Sequence, residues 1–99
     1  MTNLIIHPEV EEELNQAWAY YNDIDPELAV RMLDEVYERM ALAQESPLHF
    51  NTFYKQFRRI LCKTFPYKII FEVVEEKQAV HIVAVRHQEE HQDAWKERL

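Results

Sequence analysis

Arginine and histidine side chains at two places in the chain could together cleave a phosphodiester bond. Such cleavage needs cationic donors that hold the scissile phosphate, and an acid and a base that transfer protons to and from the reacting oxygens. Arg58 or Arg59 with Arg86 could hold the phosphate, and His87 could act as acid or base with Glu72 nearby. Because a histidine at a strand end more often makes a structural hydrogen bond, we favour that role for His87.

A second group of potential ligands is the H-x-x-E-H pattern formed by His87, Glu90 and His91. The two histidines of this pattern could bind one zinc ion if the segment were helical. The pattern lies eight residues from the end of the sequence, which leaves no following helix to supply a third ligand. We therefore expect no metal site, and no other motif in the chain indicates a cofactor.

The composition excludes several classes of protein. The 99 residues include no glycine and one cysteine, and the net charge is −7. Phosphate-cradling loops and nucleophile elbows depend on glycine, so Walker-type and dinucleotide-binding sites are excluded. A net negative charge also disfavours nonspecific nucleic-acid binding. The lone Cys62, the lack of a leader pattern and the lack of a long apolar run predict a cytoplasmic protein without a membrane span.

The charges are divided unevenly along the chain. Residues 1 to 50 contain eleven acids and two bases, whereas residues 51 to 99 contain nine bases and seven acids. The segment from Lys55 to Lys68 contains five bases and no acid. This asymmetry predicts one acidic face and one basic face on the folded chain.

Hydrophobic periodicity predicts a strand followed by two helices in the first half. Asn3 to His7 is a short apolar strand, and apolar residues recur at helical spacing from Pro8 to Asn22. Asp25 can cap a second helix that begins at Pro26 and is stopped by Ser46-Pro47. The glutamates of the first helical turn are expected to interact with the positive end of the helix dipole. The short link predicts an antiparallel helical hairpin.

The second half changes to strand periodicity. Three β-rich segments follow, which are Phe57 to Cys62, Tyr67 to Val74 and Ala79 to Arg86. His91 to Leu99 is polar apart from Trp95 and predicts a short helix or tail. The order β-α-α-β-β-β predicts a single α+β domain over residues 1–99, in which the helical hairpin packs on a mainly antiparallel sheet.

Four segments together match the pattern of one protein family. They are AWAYY at residues 17–21, the helix LAVRMLDEVYERMALAQESP, the strand pair FRRILCKTFPYKIIFEV and the final VHIVAVRHQEEHQDAWKERL. The last segment places His87, Trp95 and Arg98 at the spacing of the family's terminal pattern. By their joint order, the sequence resembles the RelE/ParE superfamily of bacterial toxin–antitoxin toxins, most closely its ParE branch, which implies the RelE/ParE-like two-layer fold.

The resemblance implies a toxin neutralised by a cognate antitoxin, whose disordered tail would fold across helices and sheet in a hetero-oligomer. Its ParE branch implies inhibition of DNA gyrase through protein contact, with no catalytic residues. Its RelE branch implies ribosome-dependent mRNA cleavage, for which Arg58, Arg59, Arg86 and His87 are the candidates. We favour the ParE-type function because the net charge of −7 would repel an RNA-rich target.

One segment departs from the family pattern. The family usually has arginine at the position of Glu90, and often another base at the position of Glu89. This change of sign leaves open a third alternative, a non-toxic homologue that retains antitoxin binding. The residues that we expect to contact the target are Arg59, Lys63, Arg86, His87, Glu90, Trp95 and Arg98.

Overall fold

The computed structural model describes residues 2–90 and 94–98, in which two helices pack on one face of a five-stranded sheet. The elements are β1 (Asn3–Ile6), α1 (Pro8–Ile24), α2 (Pro26–Glu45), β2 (Thr52–Tyr54), β3 (Phe57–Leu61), β4 (Tyr67–Val74) and β5 (Ala79–His87). Short 3-10 turns lie at Pro47–His49, Glu75–Lys77 and Ala94–Arg98. The predicted α+β architecture is confirmed. No helix in the described ranges is both long and apolar enough to cross a membrane.

The helical hairpin is set by capping residues. The Nδ1 atom of His7 accepts a hydrogen bond from the backbone N–H of Glu9, so His7 caps α1 just before Pro8. Asp25 serves both helices, because its N–H donates to the carbonyl of Tyr21 and its carboxylate accepts from Glu27. A one-residue link therefore reverses the chain, and α1 continues two residues beyond the predicted Asn22.

The sheet has the order β1-β5-β4-β3-β2, with β1 parallel to β5 and every other pair antiparallel. The sequence predicted three strands after the helices, but the structure has four. The missed strand, β2, is only three residues long, and its turn into β3 has Lys55 at a φ of 48° instead of a glycine. Gln78 at the β4–β5 turn has a φ of 47°, so both turns lack the usual glycine signal.

Apolar side chains cover both faces of the sheet. The face toward the helices packs against the buried stripe of α2, which includes Met32, Val36 and Met40. On the opposite face, which we call the outer face, a smaller cluster consists of Phe57, Ile70, Val83, Ala84 and Trp95. The pairing of β4 with β5 shifts at Ile70, and this bulge brings the consecutive residues Val83 and Ala84 into the same cluster.

The only cysteine is structural. Cys62 is 5% exposed and belongs to the core under the helices. Burial raises the pKa of its thiol to about 12, and the neighbouring carboxylate of Glu35 acts in the same direction. The thiol is therefore protonated and unreactive at neutral pH.

Glu35 on α2 anchors the turn between β3 and β4. Its carboxylate accepts hydrogen bonds from the backbone N–H groups of Lys63, Thr64 and Phe65, at 2.9 to 3.2 Å. Partial burial alone would raise the pKa of Glu35, but these three donors and the charge of Arg39 outweigh it and hold the pKa below its ordinary value. The charged carboxylate therefore joins the helical layer to the sheet.

The pKa of Glu35 is lower in the folded state than in the unfolded state. The charged carboxylate therefore stabilises the fold fully above the unfolded-state pKa, and this stabilisation is lost as the pH falls through the folded-state pKa. We expect Glu35→Ala to lower the free energy of unfolding by about 1 kcal/mol at neutral pH, and by progressively less in acid. Urea unfolding over this pH range measures the effect. Glu38→Ala, which changes an exposed carboxylate on the same helix, is the control. A difference that stays constant with pH would contradict the anchoring role.

Candidate functional site

An ion-pair cluster covers part of β5 that has no neighbouring strand on one side. The strand β1 pairs only with Ala79 to Ile82, so the following residues of β5 extend beyond it. Glu13 of α1 accepts a hydrogen bond from the N–H of Val85 at 3.0 Å, and Arg98 donates to the carbonyl of Val83 at 2.9 Å. Side chains from a helix and from the C-terminal turn thus replace the missing strand.

Two arginines meet at the Glu13 carboxylate. Arg86 Nη1 and Arg98 Nη2 each lie 2.9 Å from Glu13 Oε2. Arg86 also donates two hydrogen bonds to the carboxylate of Glu90, and Arg98 pairs with Glu9. We call Glu9, Glu13, Arg86, Glu90 and Arg98 the Glu13 cluster. The side chains of Glu13 and Arg98 are only 11% and 10% exposed.

Both arginines of the Glu13 cluster keep their charge. Hydrogen bonds to Glu90 and then to Glu13 raise the pKa of Arg86, against the opposing effect of burial. Burial opposes the charge of Arg98 most strongly, but its hydrogen bonds to Glu13 and the charges of Glu13 and Glu9 raise its pKa overall. In this cluster, three carboxylates therefore surround two guanidinium groups that stay charged.

The predicted proximity of Glu72 to His87 is wrong. Glu72 pairs in register with His81, and its carboxylate lies 3.0 Å from His81 Nδ1. His87 pairs with Tyr67 at the other end of β4, six residues after His81 along β5. At a rise of about 3.3 Å per residue, the two sites are roughly 20 Å apart. His87 is exposed, and its Nδ1 accepts a hydrogen bond from the N–H of Glu89, which is the structural role that we favoured.

The predicted phosphate-binding arginines also point in different directions. Arg58 donates to the carbonyl of Phe50, which packs against the core under the helices. Arg59, the next residue, lies with its guanidinium 5.0 Å from the centre of the Phe53 ring at the outer face. Alternation along β3 separates them, and Arg86 is held by two carboxylates. Arg58 and Arg59 therefore cannot bind one phosphate from the same face of the sheet.

Trp95 docks the C-terminal turn onto the outer face of the sheet. Its side chain is 2% exposed, and its ring centre lies 5.3 Å from that of Phe57 and 5.9 Å from that of Tyr54. This burial gives Trp95 a docking role within the chain. Lys63, in contrast, contributes its backbone N–H to the β3–β4 turn and is exposed.

The H-x-x-E-H pattern extends outside the described residues, because His91 is not among them. Of its other members, Glu90 has both carboxylate oxygens bonded to Arg86. Across the part of the chain that the structure describes, no three His, Cys, Asp or Glu side chains are grouped so that they could hold a metal ion.

Comparison with known proteins gives the family. The model of the ParE toxin of the type II toxin–antitoxin system parDE matches residues 4–92. The chain belongs to the ParE toxin family. Toxin ParE2 of Mycobacterium tuberculosis, from strains CDC 1551 / Oshkosh and ATCC 25618 / H37Rv, is 32% identical over 95 residues, which cover 92% of this chain and 86% of that protein.

Solved structures share the fold of this ParE-family chain. A structure described as the chromosomal ParDE TA system from P. aeruginosa superposes with a TM-score of 0.78 at 16% identity, over 90% of this chain and 98% of that chain. A mutant of the E. coli toxin RelE in the free state gives a TM-score of 0.66 at 15% identity, over 89% of this chain and 84% of that chain. At such identities, the likeness extends to the fold alone.

The departure of this chain from the ParE pattern lies inside the Glu13 cluster. Glu90 stands where the resemblance predicted an arginine, and it binds Arg86, which lies four residues earlier near the end of β5. The Nζ atom of Lys68 also donates to the backbone carbonyl of Glu90, at 3.1 Å. An arginine at this position would place a third guanidinium beside Arg86 and Arg98, with Glu13 as their shared carboxylate.

A groove lies on the helical layer of the ParE-family fold, between α1, α2 and the end of β1. It has a volume of about 600 Å³. Its walls are mainly apolar and include Val10, Leu14, Trp18 and Leu33, while Tyr37 on α2 is 51% exposed. Such a groove can receive the apolar face of a peptide. Val10 and Leu14 belong to the buried core at the base of the groove, and Trp18 and Leu33 are partly buried beside them.

Proposed function

We propose that this ParE-family toxin inhibits DNA gyrase by protein–protein contact, without catalysis, and that a cognate antitoxin neutralises it. The pairing of the Arg86 guanidinium with two carboxylates is the observation that supports this proposal over RNA cleavage. A guanidinium that holds a scissile phosphate must be able to give up its protein partners, whereas Arg86 is bonded to both Glu13 and Glu90. Inhibition by protein–protein contact does not require Arg86 to leave these carboxylates.

The antitoxin contact is supported by the groove on the helical layer and by the distribution of charge. The helices contribute most of the eleven acids of residues 1 to 50, so the groove lies in an acidic surface. The base-only segment from Lys55 to Lys68 runs from the β2–β3 turn through β3 to the start of β4. An antitoxin tail that crosses both layers would meet two surfaces of opposite sign, which gives the complex its register.

We propose that gyrase contacts the end of the sheet where β5 and the C-terminal turn meet. His87 is exposed there, and the Glu13 cluster supplies Arg86, Glu90 and Arg98. The buried Trp95 holds this turn in place. Arg59 and Lys63, also expected to contact the target, lie on the base-only segment and would extend the surface.

Induced expression in bacteria, with and without the neighbouring antitoxin gene, tests the proposal. We expect growth arrest that the antitoxin relieves, inhibited supercoiling by purified gyrase, and intact mRNA. His87→Ala should leave mRNA unaffected because no cleavage occurs. If mRNA is cut in arrested cells and His87→Ala abolishes the cutting, the RelE-type alternative replaces our proposal.

Reversing the charge of Glu90 tests whether the departure from the family pattern weakens toxicity. Glu90→Arg removes one of the two carboxylates that bind Arg86 and restores a positive surface. We expect stronger growth arrest and about tenfold tighter gyrase binding, equivalent to about 1.4 kcal/mol. Glu76→Arg is the matched control, because Glu76 is exposed and carries the same charge change at the β4–β5 turn, outside the departing segment. If neither the natural protein nor Glu90→Arg arrests growth, the chain is the non-toxic antitoxin-binding homologue.

A further inference from the structure

The open edge of the sheet at β2 is strongly basic and aromatic. No acidic residue lies between Glu45 and Glu72, and the five bases of this stretch include Lys55 and Arg59. Because β2 is the last strand of the sheet, its far side has no partner strand among residues 2–90 and 94–98. Sheet edges of this kind can accept a further strand from another polypeptide.

Aromatic rings and cations alternate along this edge. Phe53 is 38% exposed, and the guanidinium of Arg59 lies 5.0 Å from its ring centre. Arg59 is on β3, and its guanidinium packs against the ring of Phe53 on the neighbouring edge strand β2. Lys55 and Lys96 lie 5.3 and 3.7 Å from the ring centre of Tyr54. The cations are therefore held by rings beside the unpaired strand.

We propose that the β2 edge binds an acidic, extended peptide segment as an additional strand. The backbone of the segment would hydrogen-bond to Thr52–Tyr54, and its carboxylates would lie against Arg59 and Lys55. This inference rests on the proposed function, because it requires a protein partner. It deepens that proposal by giving the chemistry of the segment with which the partner would bind.

A peptide fits this edge better than a nucleic acid does. The aromatic rings and cations could also stack and bind a single strand. A nucleic acid, however, cannot pair with the backbone of β2, and it would be repelled by the acids of the rest of a chain with a net charge of −7. An acidic peptide uses both features of the edge, its unpaired backbone and its positive charge.

The test uses a fluorescein-labelled ten-residue peptide that alternates glutamate with valine, titrated into the full-length protein and followed by anisotropy. We expect saturable binding that weakens with salt and falls about tenfold or more in Arg59→Glu. Lys77→Glu is the matched control, since it makes the same charge change at the β4–β5 turn and should alter binding less than about twofold. Circular dichroism confirms that both variants are folded.

A second measurement reports the position of the peptide. Amide hydrogen exchange at Thr52–Tyr54 should slow when the glutamate peptide is present, and should not slow with a peptide in which lysine replaces glutamate. Equal binding to wild type and Arg59→Glu, or tighter binding of a ten-residue oligothymidine that displaces the peptide, would overturn the inference. Supercoiling assays on the same wild-type protein separate the two proposals, because gyrase inhibition without peptide binding refutes only this one.

Discussion

Replacing Glu13 with alanine is expected to lower the free energy of unfolding by about 3 kcal/mol, the usual effect of removing one partner of a buried ion pair. The carboxylate accepts hydrogen bonds from Arg86, Arg98 and the N–H of Val85, and its side chain is only 11% exposed. Alanine leaves two guanidinium groups close together without their shared carboxylate. Urea denaturation at neutral pH measures the loss.

Two further variants separate the causes of this loss. Glu13→Gln keeps an oxygen acceptor for Val85 but no negative charge, so we expect a loss of about half that of alanine. Glu12→Ala changes an exposed glutamate one residue earlier on α1 and should stay within about 0.5 kcal/mol of wild type. If Glu13→Ala unfolds at the same urea concentration as Glu12→Ala, the Glu13 cluster does not stabilise the fold.

Replacing Trp95 with alanine should also cost about 3 kcal/mol, because it removes a large buried side chain from the outer cluster. The indole fills the space above Phe57 and beside Tyr54, and 2% of the residue is exposed. Without it, the turn Ala94–Arg98 loses its apolar contact with the sheet, and Arg98 is held only by its polar partners. We expect thermal unfolding at a lower temperature and, in cells, loss of growth arrest.

Milder changes in the same turn identify what Trp95 contributes. Trp95→Phe retains an aromatic ring and should recover more than half of the stability and of the growth arrest. Glu97→Ala alters an exposed residue of the turn and should behave as wild type in both measurements. A Trp95→Ala protein that unfolds at the wild-type temperature and still inhibits gyrase would contradict the role of Trp95 docking in the proposed target surface.

The sequence predicted the helical hairpin well because capping and periodicity act over a few residues. Asp25 and Pro26 mark the link, and Ser46-Pro47 ends α2 as expected. The strand β2 was missed because three residues carry no periodicity and Lys55 replaces the glycine that marks most such turns. Local signals thus located every long element and failed only at the shortest strand.

The sequence singled out several members of the Glu13 cluster separately, but none of their pairings. Arg86 was named as a candidate for holding phosphate, Glu90 and Arg98 were named from the family pattern, and Glu13 was assigned only to the helix dipole. Glu13 lies 85 residues from Arg98 in sequence, and no spacing rule joins residues so far apart. The acids that follow Pro8 also look alike in sequence. Only the position of α1 beside the unpaired part of β5 selects Glu13 among them.

The sequence by itself determined the long helices and strands, the family and the division of charge between an acidic first half and a basic segment from Lys55 to Lys68. These properties depend on residue type and short spacing. The tertiary structure decided which charges neutralise one another and which remain at the surface. It did so through the short pairing of β1 with β5 and the alternation of side chains across the sheet. As a result, Arg86 is held by carboxylates while Arg59 packs against Phe53 on the edge strand β2.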